Sequence, residues 1–233
     1  MQNKDYIEQK YMPNSVYDEE IIRGHKQKDK CIFKIEVGNN SHGTGFLCKL
    51  PFGNKKNLLP VLITNNHVIN KDYISETRII MLTKDNGKEY FLYFNNENCR
   101  RFYTEEENDI TIIEILYDDN IDFDSFLEVD DNCLLENPNN IYKNNNAYVI
   151  HFPKDNNATL TTGKIEKIEE NIIYHKCTTE EGSSGCPIIN SYNNQVVGIH
   201  KGYNNRKELN CGIFIKYAII KFHQEMVRQG KNY

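Results

Sequence analysis

The sequence has no long hydrophobic run, no excess of basic charge and no pair of cysteines at metal-ligand spacing. Its longest apolar run, LLPVLI at 58–63, has the length of a strand, whereas a membrane-spanning helix needs about 20 apolar residues. The first fifteen residues, MQNKDYIEQKYMPNS, lack the apolar core that marks a secretory signal. We therefore expect a cytoplasmic protein with no membrane partner.

The formal net charge is −5 at pH 7, which argues against nucleic acid as a partner because phosphate groups repel an acidic chain. The seven cysteines are scattered and no two form a C-x-x-C pair, so a zinc site is not predicted. Such cysteines are typical of buried, reduced thiols in a cytosolic protein. The sequence also lacks H-E-x-x-H and a glycine-rich phosphate loop, so we expect no cofactor.

The chain does contain many short runs of β-branched and aromatic residues, separated by clusters of Asn, Gly, Lys and Asp. The first half has six: CIFKIEV, GTGFLCKL, LLPVLITN, RIIMLT, EYFLYF and DITIIEIL. After an acidic, Asn-rich stretch, the second half has six more: NAYVIHFP, TTGKIEKI, NIIYHKCT, CPIIN, QVVGIHKG and LNCGIFIK. This spacing predicts an all-β protein of closed or packed sheets. The last stretch, IKYAIIKFHQEMVRQG, has helical periodicity and predicts one C-terminal α-helix.

Three polar side chains stand at strand ends or in turns in an order that suggests nucleophilic chemistry. His67 follows an apolar strand in LITNNHVIN, Asp109 opens the strand DITIIEIL, and Ser184 lies in the turn GSSGCP. A serine hydroxyl needs a general base, a group that orients the base, and donors for the oxyanion. Taken singly, each residue is also compatible with an ordinary turn or strand boundary. The order His, Asp, Ser is that of the chymotrypsin arrangement and differs from the subtilisin and α/β-hydrolase orders.

Five segments in the same order resemble the trypsin-like (chymotrypsin-fold) serine peptidases. They are SHGTGFL, LITNNHVI, NDITIIEI, GSSGCPIIN and QVVGIHKG. The resemblance implies two six-stranded Greek-key β-barrels, with the active site in the cleft between them. We therefore expect the chain to divide into an N-terminal extension at 1–30, a first barrel at 31–117, a linker at 118–140, a second barrel at 141–216 and a C-terminal helix at 217–233.

The same resemblance assigns a role to each residue of the constellation. It implies that Ser184 is the nucleophile, that His67 is the general base and that Asp109 orients the base. It also implies that the backbone N–H groups of Gly182 and Ser184 form the oxyanion hole.

The residue before the nucleophile bears on activation. Digestive members of the family carry an aspartate there, which pairs with a newly cut N-terminal amine. This chain has Ser183, which cannot form that ion pair. We therefore expect activity without cleavage before Ile21 or Ile22.

Two residues suggest a substrate preference. Thr179 and His200 resemble a pair that holds an acidic side chain in the glutamyl endopeptidase branch, and viral 3C-like peptidases use a similar pair for glutamine. An imidazole and a hydroxyl can each donate a hydrogen bond to a carboxylate or amide oxygen. Lys201 and Gly202 follow in the strand that we expect to bind the substrate backbone. Cleavage after Lys or Arg is not expected, because Thr178 stands at the position where an acidic residue would select a basic side chain.

Cleavage after Glu is therefore the expectation, and two alternatives stay open. One is a processing peptidase of the 3C-like kind that is specific for Gln. The other is a catalytically silent protein that keeps the peptidase fold and binds a peptide in its cleft. In each case the expected partner is a protein or peptide.

Overall fold

The computed structural model describes residues 30–37, 42–52, 54–95, 100–122, 125–136, 138–154 and 157–230. The expectations about the N-terminal extension, about cleavage before Ile21 or Ile22 and about residues 231–233 of the C-terminal helix lie outside these ranges. Within them the chain is mainly β-structure, arranged in two sheets that follow one another along the sequence.

The first sheet contains eight strands. They are β1 (Ile32–Glu36), β2 (His42–Phe52), β3 (Asn54–Thr64), β4 (Ile79–Thr83), β5 (Glu89–Tyr93), β6 (Phe102–Glu105), β7 (Ile110–Glu114) and β8 (Leu127–Glu128). Their order across the sheet is β5-β4-β1-β2-β3-β7-β6, with antiparallel neighbours. The short strand β8 pairs in parallel with β2.

The second sheet closes into an antiparallel barrel of six strands in the order β10-β11-β14-β13-β12-β9. Its strands are β9 (Asn146–His151), β10 (Thr159–Glu169), β11 (Ile172–His175), β12 (Pro187–Asn190), β13 (Gln195–Asn204) and β14 (Leu209–Phe214). Closure gives every strand of this sheet two neighbours, which is how small barrels limit pairing with other chains.

The predicted all-β fold class with two barrel-like sheets and a C-terminal helix is confirmed. All six strands predicted in the second half form the closed barrel. The first sheet differs, since it has eight strands where six were expected. The additional strands are β6, whose four residues are all half-buried, and β8, which has only two residues. Neither shows the alternation that marks a strand in a sequence. The domain limits given above stay a prediction.

The α-helices that lie wholly within the described ranges are α1 (Lys71–Thr77), α2 (Asn139–Tyr142) and α3 (Ile215–Arg228). Helix α1 begins after Asn70, whose side chain caps it by accepting from the Tyr73 N–H. Helix α3 buries one face, which consists of Ile215, Ala218, Ile219, Phe222 and Met226. Spacings of three and four residues place these side chains on one stripe, which packs against the core. None of the described helices is long and apolar enough to cross a membrane.

The six cysteines within the described ranges are all buried free thiols: Cys31, Cys48, Cys133, Cys177, Cys186 and Cys211. Burial raises the pKa of Cys177 to about 12 and that of Cys211 to about 11. Because the thiolate is the reactive form, these thiols are inert at neutral pH. They act as small apolar side chains in the core.

Candidate active site

The paired strands β3 and β7 bring His67 and Asp109 together. Thr64 at the end of β3 lies opposite Thr111 of β7, so the residues just after β3 meet those just before β7. His67 Nδ1 lies 2.7 Å from Asp109 Oδ2. The backbone N–H of His67 donates to the other carboxylate oxygen, Oδ1, at 2.8 Å. One carboxylate therefore holds both the ring and the backbone of the histidine.

Asp109 is itself tightly held. Its backbone is in the left-handed region, with φ 59°, and its carbonyl accepts a hydrogen bond from Asn65 Nδ2 at 2.9 Å. Burial raises the pKa of Asp109, but the hydrogen bonds and charge of His67, together with the charge of Lys201, outweigh it and lower the pKa below its usual value. Asp109 is therefore ionised at neutral pH.

Ser184 lies in a tight turn that precedes β12 and packs against the first sheet. The next residue, Gly185, has φ 88°. A Cβ at this glycine would lie 2.2 Å from the Thr44 carbonyl oxygen and 2.3 Å from Thr64 Oγ1, so only glycine fits. The Thr44 N–H also donates to the Ser184 carbonyl at 2.8 Å. These contacts fix the turn against β2 and the end of β3, close to the histidine.

The N–H groups of Gly182 and Ser184 donate no hydrogen bond within the part of the chain that the structure describes. The neighbouring N–H groups all donate to backbone carbonyls. The Ser183 N–H donates to Glu180, the Gly185 N–H to His200 and the Cys186 N–H to Ser183. The Glu181 carbonyl accepts from the Lys154 N–H at 2.6 Å. Because the N–H and C=O of a trans peptide point in opposite directions, this bond turns the Gly182 N–H away from Lys154.

The Ser184 hydroxyl makes no hydrogen bond to any described residue, and its side chain is partly exposed. The His67 side chain is 47% exposed. Since Nδ1 faces the aspartate, Nε2 lies on the far side of the ring. The structure thus brings the Ser184 turn, His67 and Asp109 to one site where the two sheets meet.

Three buried histidines lie in the second barrel, and we call them the histidine cluster: His151, His175 and His200. His175 Nε2 is 3.1 Å from His200 Nδ1, and the two rings meet edge to face. Burial lowers the pKa of each member, and the charge of a nearby histidine adds to the effect. The pKa falls to about 3 for both His151 and His200. All three rings are therefore neutral at pH 7.

The backbone determines where His175 and His200 carry their protons. The Cys177 N–H donates to His175 Nδ1 at 3.3 Å, so this nitrogen is an acceptor and the neutral ring is protonated on Nε2. The Nε2–H of His175 then donates to Nδ1 of His200, so the proton of the neutral His200 ring lies on its Nε2. His200 is thereby fixed as an N–H donor.

Of the remaining predicted substrate residues, Thr179 lies between β11 and β12, and Lys201 and Gly202 lie in β13. Thr179 is 0% exposed, and its hydroxyl has no hydrogen-bond partner within the described ranges. β12 pairs with β13 only as far as Ile199, whereas β14 pairs with it up to Asn204. The β14 register shifts between His200 and Gly202, at half-buried Lys201.

Three residues of the site were missed by the sequence analysis. Thr44 holds the Ser184 turn, His175 orients His200, and His151 contacts Ser183. The two histidines each end an apolar strand, β9 or β11. A histidine at the end of an apolar strand was therefore the available signal, but its partners lie far away in sequence.

Comparisons with known proteins agree with this architecture. The model of the trypsin-like peptidase domain family matches residues 43–199, about two thirds of the chain. The serine endoprotease from Yersinia pestis has a similar structure, with a TM-score of 0.62 and 15% identity over 94% of this chain and 69% of that one. Deg5 is similar with a TM-score of 0.57 and 15% identity, over 86% of this chain and 91% of that one. No curated protein sequence matches the chain significantly. The chain belongs to the trypsin-like peptidase domain family and is a serine-type endopeptidase.

Proposed function

We propose that Ser184, His67 and Asp109 form the catalytic triad of this peptidase. The observation that carries the proposal is the double attachment of His67 to Asp109, at 2.7 Å through the ring and 2.8 Å through the backbone. The carboxylate keeps the proton on Nδ1, so Nε2 is left to act as the base. It takes the Ser184 proton as Oγ attacks the substrate carbonyl, and later gives it to the leaving amine. Catalytic hydrogen bonds of this kind often form only when substrate is bound.

The proposed oxyanion hole consists of the Gly182 and Ser184 N–H groups. Both lack an acceptor among the described residues, while their neighbours have one. Two aligned donors stabilise the negative charge that develops on the carbonyl oxygen, and losing one such donor typically costs about 10²- to 10³-fold in kcat.

For specificity, we propose that Thr179 and His200 receive the side chain of the residue before the cut bond, with Glu preferred. His200 is a fixed N–H donor, and the buried Thr179 hydroxyl has no partner among the residues that the structure describes. An unsatisfied buried hydroxyl costs about 1–3 kcal/mol, which a substrate oxygen would relieve. Because both residues are 0% exposed, the proposal requires the pocket to open as the side chain enters.

Gln is the second candidate, and the neutral state of His200 favours it. A neutral N–H donor serves an amide oxygen as well as a carboxylate. The charge of Lys201, which already acts on Asp109, favours a carboxylate instead. We propose that the substrate backbone pairs with β13 at Lys201 and Gly202, because β12 pairing ends at Ile199.

A mixture of peptides of diverse sequence, read by mass spectrometry, tests these proposals together. We expect cuts after Glu that disappear in Ser184→Ala. Cuts after Gln would keep the triad and change the pocket assignment, while cuts after Lys or Arg would refute the pocket. If wild type and Ser184→Ala give the same pattern, the triad proposal is wrong and the silent, peptide-binding alternative gains support.

We also propose that the protein works in a reducing compartment such as the cytoplasm. The support is that the six described cysteines are buried free thiols. Tagged full-length protein that fractionates with a disulfide-forming compartment would contradict this location.

A further inference from the structure

The Ser184 turn contains a buried hydrogen-bonded pair that no step of the triad uses. Ser183 is 0% exposed, and its Oγ lies 2.6 Å from Nδ1 of His151, which is 2% exposed. The same oxygen accepts the N–H of Glu180 at 2.9 Å. The serine at this position therefore makes two buried hydrogen bonds, although it cannot form the ion pair that an aspartate would form there.

The direction of the Ser183–His151 bond follows from proton counting. The Ser183 oxygen already accepts from Glu180, and its own proton needs an acceptor because the hydroxyl is buried. His151 Nδ1 is the acceptor within reach. The ring is neutral, so its proton lies on Nε2, which is buried without a partner among the described residues. The reverse direction would leave both this nitrogen and the Ser183 proton without partners.

This pair links the turn to the second barrel. His151 is the last residue of β9 and is held opposite Thr159 of β10. Ser183 lies between Gly182 and Ser184, and its peptide bond to Ser184 carries one of the proposed oxyanion donors, the Ser184 N–H. A rotation at Ser183 would therefore turn the Ser184 N–H out of line with the Gly182 N–H.

We propose that His151 is a positioning residue, which holds Ser183 and thereby sets the Ser184 N–H relative to the Gly182 N–H without a charged N-terminus. The inference rests on the proposed function, since it concerns the same oxyanion hole. Digestive relatives hold this turn with an ion pair, whereas a neutral pair inside the barrel does so here. The chain then needs no cleavage to order its active site.

The test compares two substitutions of similar size at one position. His151→Asn keeps an acceptor close to the place of Nδ1, and His151→Leu removes it. We expect His151→Leu to lower kcat by about tenfold to a hundredfold, a fraction of the loss caused by removing an oxyanion donor. KM should change by less than about threefold, because substrate contacts are intact. His151→Asn should recover most of kcat.

Ser183→Ala provides a second, smaller change if His151→Leu folds poorly. It should lower kcat like His151→Leu, and the double variant should cost no more than either single one, because both remove the same bond. Ile80→Val, a buried change in the first sheet, controls for a general loss of stability. Equal kcat in wild type, His151→Leu and Ser183→Ala would overturn the proposal.

A spectroscopic measurement separates failure of this inference from failure of the triad. A wild-type chain without Ser184-dependent cleavage would refute the triad, but the pair can still be examined by the nitrogen NMR signals of His151. We expect Nε2 to be protonated and Nδ1 to shift in Ser183→Ala. A proton on Nδ1, or no shift in Ser183→Ala, would refute the inference whether or not the enzyme is active.

Discussion

Replacing Asp109 by Asn should leave the shape of the site intact and reverse the tautomer of His67. The two carboxylate oxygens face two donors, the backbone N–H of His67 at 2.8 Å and the ring at Nδ1 at 2.7 Å. An amide has only one oxygen. Because the backbone N–H cannot change its role, the amide oxygen stays there and the NH₂ group faces Nδ1. Nδ1 must then accept, so the proton moves to Nε2 and His67 can no longer take the Ser184 proton.

The expected loss is large in rate and small in stability. A base in the wrong tautomer costs about 10⁴-fold in kcat, which corresponds to roughly 5 kcal/mol of transition-state stabilisation. The folded state keeps both hydrogen bonds but makes them to a neutral amide and not to a carboxylate, so unfolding free energy should fall by only about 1–2 kcal/mol.

Initial rates on a cleaved peptide, measured beside thermal unfolding, check this prediction. Asp118→Asn, an exposed change in the segment after β7, is the matched control and should have wild-type kcat. The reasoning is refuted if Asp109→Asn retains more than a tenth of wild-type kcat while folded. It is also refuted if the loss lies entirely in KM.

The remaining predictions concern stability. The histidine cluster has pKa values lowered in the folded chain, so the unfolded chain binds more protons between about pH 6.5 and pH 3, and stability should fall as pH falls in this range. The loss should reach about 2 kcal/mol for each histidine at pH 5, and equal urea midpoints at pH 7 and pH 5 would contradict the neutral rings. Gly185→Ala should abolish cleavage and lower the melting temperature, because its Cβ would lie 2.2 Å from a β2 carbonyl. Gly87→Ala is the control, with φ 79° but nothing within 4 Å, and a comparable loss there would refute the steric argument. Arg100→Leu should cost about 3–5 kcal/mol in a denaturant titration, because it leaves Asp119 charged and buried. Arg228→Leu, at an exposed ion pair, should leave the denaturant midpoint almost unchanged.

Much of the fold was predictable because apolar runs and turn residues record which segments are strands. The six runs of the second half became the six strands of the closed barrel. Strand β6 was not predicted from the sequence, because its residues are uniformly half-buried and show no alternation of apolar and polar side chains. Helix α1 was not predicted either, because KDYISET has a single buried residue, Ile74, and so lacks an apolar stripe.

The candidate site was predictable where residue types and order carry the chemistry. His67 and Asp109, which are 42 residues apart, do form a close pair. Contacts such as Ser183–His151 and His175–His200 could not be predicted, because barrel closure decides which strand ends meet. Sequence also gave no sign that Thr179 and His200 are fully buried.

The most direct test of the central claim is intact-mass and peptide-mapping analysis of the full-length chain after reaction with a fluorophosphonate. This reagent forms a stable adduct with a serine that a histidine base activates. The account predicts a single adduct on Ser184, absent in Ser184→Ala and strongly slowed in His67→Ala. An adduct on Ser183, or equal labelling of wild type and His67→Ala, would contradict it.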